Sequence, residues 1–146
     1  LSFIIGFASL PLSFYTKGFT IMPFYFFSVL IAACLPYIWA GVSKANKALP
    51  YDNHNPRAQL SKMSGYHQRA SWAQMNAWEA FAPFAAAVVI AHLQQVQPST
   101  INAFALTFLV ARVAHGLLYI FDLAALRSVA WLLGFACVFG LFVVAA

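Results

Sequence analysis

Two pieces of sequence decide the fold: RASWAQMNAWEAFAPF, residues 69–84, and ARVAHGLLYIFD, residues 111–122. Both are mainly apolar, and both carry polar side chains at helical intervals. Arg69, Asn76 and Glu79 are separated by seven and three residues, which places them on one face of an α-helix. Arg112, His115 and Asp122 repeat that spacing in reverse, with Tyr119 on the same face. In an antiparallel helix pair, residues at equal depth have a constant index sum. Glu79 with Arg112, Asn76 with His115, and Arg69 with Asp122 all share one sum. The pattern predicts three facing polar rungs. The Glu79–Arg112 rung lies roughly 15 Å deeper than the Arg69–Asp122 rung, at a rise of about 1.5 Å per residue.

Between these pieces, residues Ala80 to Ala111 carry no Asp, Glu, Lys or Arg. Only QQVQPST, residues 94–100, interrupts the run, as a polar turn around Pro98. Two spans follow, near Tyr66–Gln95 and Thr100–Phe121. Working outward, the charge-free stretch Gly18 to Ser43 holds one span near Pro23–Gly41, with Pro36 as a kink near its end. Ser128 to Ala146 holds the last, entered through a short turn at Asp122 to Leu126. Each reaches at least the roughly 20 residues that cross a bilayer core.

Composition agrees. Of 146 residues, 63% are hydrophobic and 8% charged, and the mean hydropathy is +0.79. A soluble domain carries about 25% charged residues, so a water-facing globule is excluded. The apolar content excludes disorder, and two cysteines cannot build a disulfide scaffold. The fold class is all-α integral membrane, an up-down four-helix transmembrane bundle over residues 20–146. Residues 1–19 form an apolar N-terminal extension with three readings: an interfacial segment, a shortened fifth span, or upstream sequence that is not native. Pro11 breaks it, and no basic residue precedes its apolar run, which argues against a signal peptide.

Lys44, Lys47, Arg57, Lys62 and Arg69 lie in or beside the connection between spans one and two, whereas the connection between spans two and three is uncharged. The positive-inside rule makes the basic connection cytoplasmic, and with it the turn from Asp122 to Arg127. The net charge of +5 is therefore a topology signal, and no nucleic-acid partner is expected.

Polar side chains within hydrocarbon need a reason. An unpaired Arg or Asp at a helix centre costs roughly 2.5–3.5 kcal/mol on insertion scales. The facing rungs predict a Glu79–Arg112 ion pair supported by an Asn76–His115 contact, with Asp122 closing the polar network at the loop end. The plainer reading is that these groups only join helices. No metal site is expected, since the four histidines are scattered and no H-E-x-x-H or Cys-x-x-Cys spacing occurs. His54, His67 and His92 read as solvated groups near the interfaces, and Cys34 and Cys137 as small buried apolar residues. There is no Walker loop, dinucleotide fingerprint or nucleophile elbow.

On these residues the chain resembles the MAPEG superfamily, the membrane-associated proteins of eicosanoid and glutathione metabolism, and most of all its small bacterial members. The loop Tyr51-Asp52-Asn53-His54-Asn55-Pro56-Arg57 is similar to theirs. So is the series Arg69, Asn76, Glu79, Pro83 and Phe84, then Arg112, His115 and Tyr119, then Arg127 at the start of span four. The resemblance covers about Pro23 to Ala146. It implies a homotrimer in a bacterial inner membrane, with glutathione as co-substrate in a cytoplasm-facing pocket between protomers. By resemblance, Arg69 would hold a glutathione carboxylate, Glu79 the α-amino group, and Asn76 and Tyr119 the peptide.

Arg127 would face the sulfur as the catalytic residue. A thiol reacts as its thiolate, and a guanidinium, which does not deprotonate, favours that form. The partner substrate would be a small apolar electrophile or a lipid hydroperoxide arriving through membrane lipid. One departure stands out: family enzymes commonly place a second Arg four residues before the Asn, where this chain has Trp72. That departure favours the rival role, a non-catalytic lipid-binding or scaffolding protein, as in one eukaryotic branch.

Overall fold

Long apolar runs without charge have only one way to satisfy their backbone in hydrocarbon, by bonding within the segment as helices. The structure, a computed structural model, describes residues 22–47, 49 and 51–146. Four long helices are present: α1 (Phe24–Lys44), α3 (Gly65–Leu93), α4 (Pro98–Ile120) and α5 (Ala124–Ala145). A short α2 (Pro56–Leu60) lies in the first connection. The four long helices have the length and composition of membrane spans. No strand occurs among the described residues. The N-terminal extension, for which three readings stood open, lies outside the described residues.

The helices differ from their predicted limits by one to three residues. α1 runs on through Pro36 to Lys44, and α5 begins at Ala124 rather than after Leu126. That earlier start puts Arg127 in the first turn of α5, with its N–H donating to Leu123 O at 2.9 Å.

Two reversals share one device. At the end of α3, Gln95 is left-handed (φ 57°), Gln95 N donates to His92 O at 3.0 Å, and Val96 N to Ala91 O at 3.0 Å. At the end of α4, Asp122 is left-handed (φ 62°), Asp122 N donates to Tyr119 O at 3.2 Å, and Leu123 N to Leu118 O at 2.9 Å. Both are Schellman closures, which return the last carbonyls to hydrogen bonding without glycine. Pro98 then opens α4 in its first turn, where a missing N–H is harmless.

α3 and α4 pack against each other at the centre. α1 lies against both on one side, and α5 against both on the other. The α3–α4 seam is held by Phe84 and Phe108, stacked with centroids 3.8 Å apart and planes 5° from parallel. α1 approaches α4 closely because residue 116 is glycine. A Cβ there would come within 2.3 Å of the Trp39 ring.

At the far end, Tyr25 OH bonds His92 Nδ1 at 2.9 Å, and Tyr25 N donates to Asn102 Oδ1 at 3.1 Å. At the loop end, Gln59 Nε2 donates to Leu49 O at 3.2 Å, and Lys44 lies 4.2 Å from the Tyr51 ring centroid. Two expectations are corrected. His67 is buried against Val42 O at 3.0 Å, because α3 starts directly beside the end of α1. Cys34 is exposed on the outer face of α1, and of the two cysteines only Cys137 is buried.

Candidate functional site

The antiparallel α3–α4 hairpin carries the predicted polar faces, and the outermost rung forms as expected. Arg69 Nη1 stands 3.8 Å from Asp122 Oδ2, while Arg69 Nε donates to Ile120 O at 3.0 Å. The guanidinium thus ties the start of α3 to the C-terminal turn of α4.

The inner rungs differ from expectation. No Glu79–Arg112 ion pair is present among the described residues. Arg112 Nη2 instead donates to Asn76 Oδ1 at 2.6 Å and to Asn76 O at 3.1 Å, and Asn76 Nδ2 donates to Glu79 Oε2 at 3.1 Å. Asn76 lies about one helical turn nearer the loop than Glu79, a depth difference of about 4.5 Å that a long Arg side chain can span. An amide offers an acceptor and a donor at once, so Asn76 fits between cation and carboxylate. The Asn76–His115 rung is likewise not formed. His115 is buried, its Nδ1 has no hydrogen-bond partner, and its ring meets Tyr119 edge-on at 5.6 Å.

Tyr119 organises the loop end. The Arg127 guanidinium lies over its ring, 4.2 Å from the centroid. Trp72 stands on the other helix with its ring centroid 6.2 Å from that of Tyr119. A cation held over an aromatic face has a defined position without being neutralised.

These side chains line a cleft of three segments, neighbouring cavities that share Asn76. The inner segment, of about 220 Å³, runs among α3, α4 and α5 and includes Asn76, Glu79, Arg112, Trp131 and Gly134. A second, of about 350 Å³, is bounded by Trp72, Met75, Asn76, Glu79 and Tyr119. The third, of about 230 Å³, is bounded by Asn76, His115, Tyr119, Arg127, Ser128 and Trp131. Asn76 lies on all three. Of the residues singled out in the sequence, Asn76, Glu79, Tyr119, Arg127, Arg112 and His115 meet here, whereas Arg69 and Asp122 pair beyond the cleft's walls.

Sequence reasoning missed Trp131 and Gly134. A signal was present: Arg127, Trp131, Gly134 and Val138 recur at helical spacing along one face of α5. Among the described residues, no group of His, Cys, Asp and Glu is placed to hold a metal ion.

The cleft can orient an amine at the Glu79 carboxylate, which is exposed. It can stabilise an anion beside the Arg127 guanidinium, and its inner segment is lined by the apolar Pro83 and Phe135. A family model described as MAPEG family matches residues 24–146. No curated protein and no solved structure matches the chain.

Proposed function

Because the chain belongs to the MAPEG family, we propose that this integral multi-pass membrane protein is a glutathione-dependent transferase or peroxidase acting on apolar electrophiles or lipid hydroperoxides. The observation that carries this reading is Arg127, held 4.2 Å over Tyr119 at the loop end of the cleft. A thiol with an ordinary pKa of about 8.5 is mostly protonated at neutral pH. A permanent cation beside it favours the thiolate, the attacking form. Asn76, Glu79 and Tyr119 line the adjoining segment. There Glu79 takes the α-amino group of glutathione, and Asn76 and Tyr119 take the peptide. Arg69, which lies beyond the cleft's walls, takes a carboxylate that extends past them, through the donors that Ile120 and Asp122 leave over.

Glu79 also supports the homotrimer. It is exposed near the middle of a 29-residue span, and a carboxylate facing lipid at that depth is costly. A second copy packed over this face covers it and completes the pocket. The basic α1–α3 connection faces the cytoplasm of a bacterial inner membrane.

The test is thiolate ultraviolet absorbance of the purified protein with glutathione at neutral pH, paired with thermal stabilisation by glutathione. Absence of both ends the enzyme reading. One observation favours a non-catalytic lipid-binding or scaffolding role: Trp72 brings an aromatic ring beside Tyr119 where an enzyme of this family has a cation. On that reading glutathione gives no shift, and an apolar ligand does.

A further inference from the structure

The inner segment of the cleft differs in chemistry from its loop end. Ala80, Pro83, Phe108, Phe135 and Val138 give it apolar walls, and its charged groups are Arg112 and Glu79. Arg112 is only 4% exposed. Of the five N–H donors of a guanidinium, the two on Nη2 are spent on Asn76. Nε is buried without a hydrogen-bond partner and out of a ligand's reach, whereas Nη1 makes no hydrogen bond among the described residues and keeps accessible surface. A charged group's donor left unsatisfied among apolar walls is costly, so an acceptor belongs beside Nη1. Opposite its stem, residue 134 is glycine; a Cβ there would lie 3.3 Å from Arg112 Cδ. The wall is cut back where the stem of the Arg passes.

Size and charge narrow the acceptor. An apolar cavity of about 150 Å³ holds benzene, so about 220 Å³ suits one aromatic ring with a short substituent. Arg112 repels a cation, and Glu79 on the same wall repels a carboxylate. A bare hydrocarbon leaves the donors unmet. What remains is a neutral apolar molecule with an acceptor oxygen.

We propose that the inner segment is a second binding site, taking a single-ring carbonyl compound such as an aryl ketone or aryl enone, with its oxygen on Nη1 of Arg112. As the place of the electrophile it rests on the glutathione reading above; as a binding site it does not. For an enone, the glutathione sulfur forms a bond to the β-carbon as the C=C π bond breaks. The electron pair passes to the carbonyl oxygen beside Arg112, and the α-carbon then takes a proton from water. A preplaced cation where negative charge develops is the arrangement that lowers such a barrier.

The test uses the full chain in phosphatidylcholine nanodiscs and an acetophenone carrying a trifluoromethyl-diazirine as photoprobe. Labelled peptides should contain Phe108, Trp131 or Phe135. Butyrophenone should compete about tenfold better than butylbenzene or 4-phenylbutyrate, the step expected for one charge-assisted hydrogen bond. Ala80→Leu and Gly134→Ala narrow the segment from opposite walls, and each should lower the labelling. Gly134→Ala presses on the Arg112 stem and is judged only if its melting midpoint is unchanged; Ala80→Leu keeps the test open if it is not. Labelling spread over outer residues such as Leu132 and Phe139, or equal competition by butylbenzene, overturns the proposal. Glutathione-induced stabilisation is measured on the same sample. Competed labelling without it removes the enzyme reading and keeps this site, and the reverse result does the opposite.

Discussion

Arg112 Nη2 lies 2.6 Å from Asn76 Oδ1, so a neutral amide stands between the buried cation and the Glu79 carboxylate. The chain Arg112–Asn76–Glu79 neutralises the interior of the bundle while leaving the carboxylate exposed at the cleft. A direct pair would have spent Glu79 on Arg112. The relay leaves it open to a ligand.

Coupling energies should follow the relay. A double-mutant cycle between Asn76→Ala and Arg112→Met should give about 1.5–3 kcal/mol, the range for hydrogen bonds to charged groups. The cycle between Glu79→Gln and Arg112→Met should give less than half of that. Unfolding midpoints in detergent measure both, and a larger Glu79 value would mean that the two charges meet directly.

Asp122 combines two roles whose energies separate by substitution. Its pairing with Arg69 is long, at 3.8 Å, and its side chain is 68% exposed, so the pair contributes little. Its backbone, at φ 62°, is where ordinary side chains are strained by roughly 1–2 kcal/mol. Asp122→Gly should therefore melt at or above the parent, and Asp122→Val should melt clearly below it. The opposite order would assign the turn's stability to the ion pair.

How far the sequence reaches is visible in these two sites. Charge gaps and one proline turn located four spans to within a few residues, because hydrocarbon forbids unsatisfied backbone and an apolar run of about 20 residues satisfies its own as a helix. Equal-depth counting paired Arg69 with Asp122 correctly, since Asp122 sits in a turn whose place is set by the chain. It failed for Glu79 and Arg112, because index sums locate Cα atoms, and an Arg side chain reaches a full turn above or below its own Cα. The walls supplied by α5 were hidden for another reason. Trp131 and Gly134 are apolar among apolar residues, and only packing shows that the missing Cβ of Gly134 faces Arg112.

Gly116 sets how closely α1 approaches α4. A Cβ within 2.3 Å of the Trp39 ring must displace a buried indole that is only 5% exposed. Gly116→Ala should cost about 1–3 kcal/mol, as overpacking of a filled core does. Adding Trp39→Phe shortens the opposing side chain and should recover part of the loss. Thermal melts of the two single variants and the double variant check this, and strict additivity would show that the contact does not limit packing.

Tyr119 positions Arg127 by its ring, and its hydroxyl has no part in that contact. A cation over an aromatic face gains about 0.5–1 kcal/mol where exposed and about 2 where desolvated. Tyr119→Phe keeps the face and should retain most of the glutathione thiolate signal at neutral pH. Tyr119→Leu removes the face, leaves Arg127 free to turn toward water, and should lose most of that signal. In Arg127→Gln the cation itself is gone, so the bound thiol ionises only at higher pH, and the midpoint of the absorbance titration should move up by about one unit, equivalent to about 1.4 kcal/mol. A Tyr119→Leu protein that titrates like the parent would show that the ring does not hold the guanidinium. An Arg127→Gln protein that does so would place the sulfur elsewhere in the cleft.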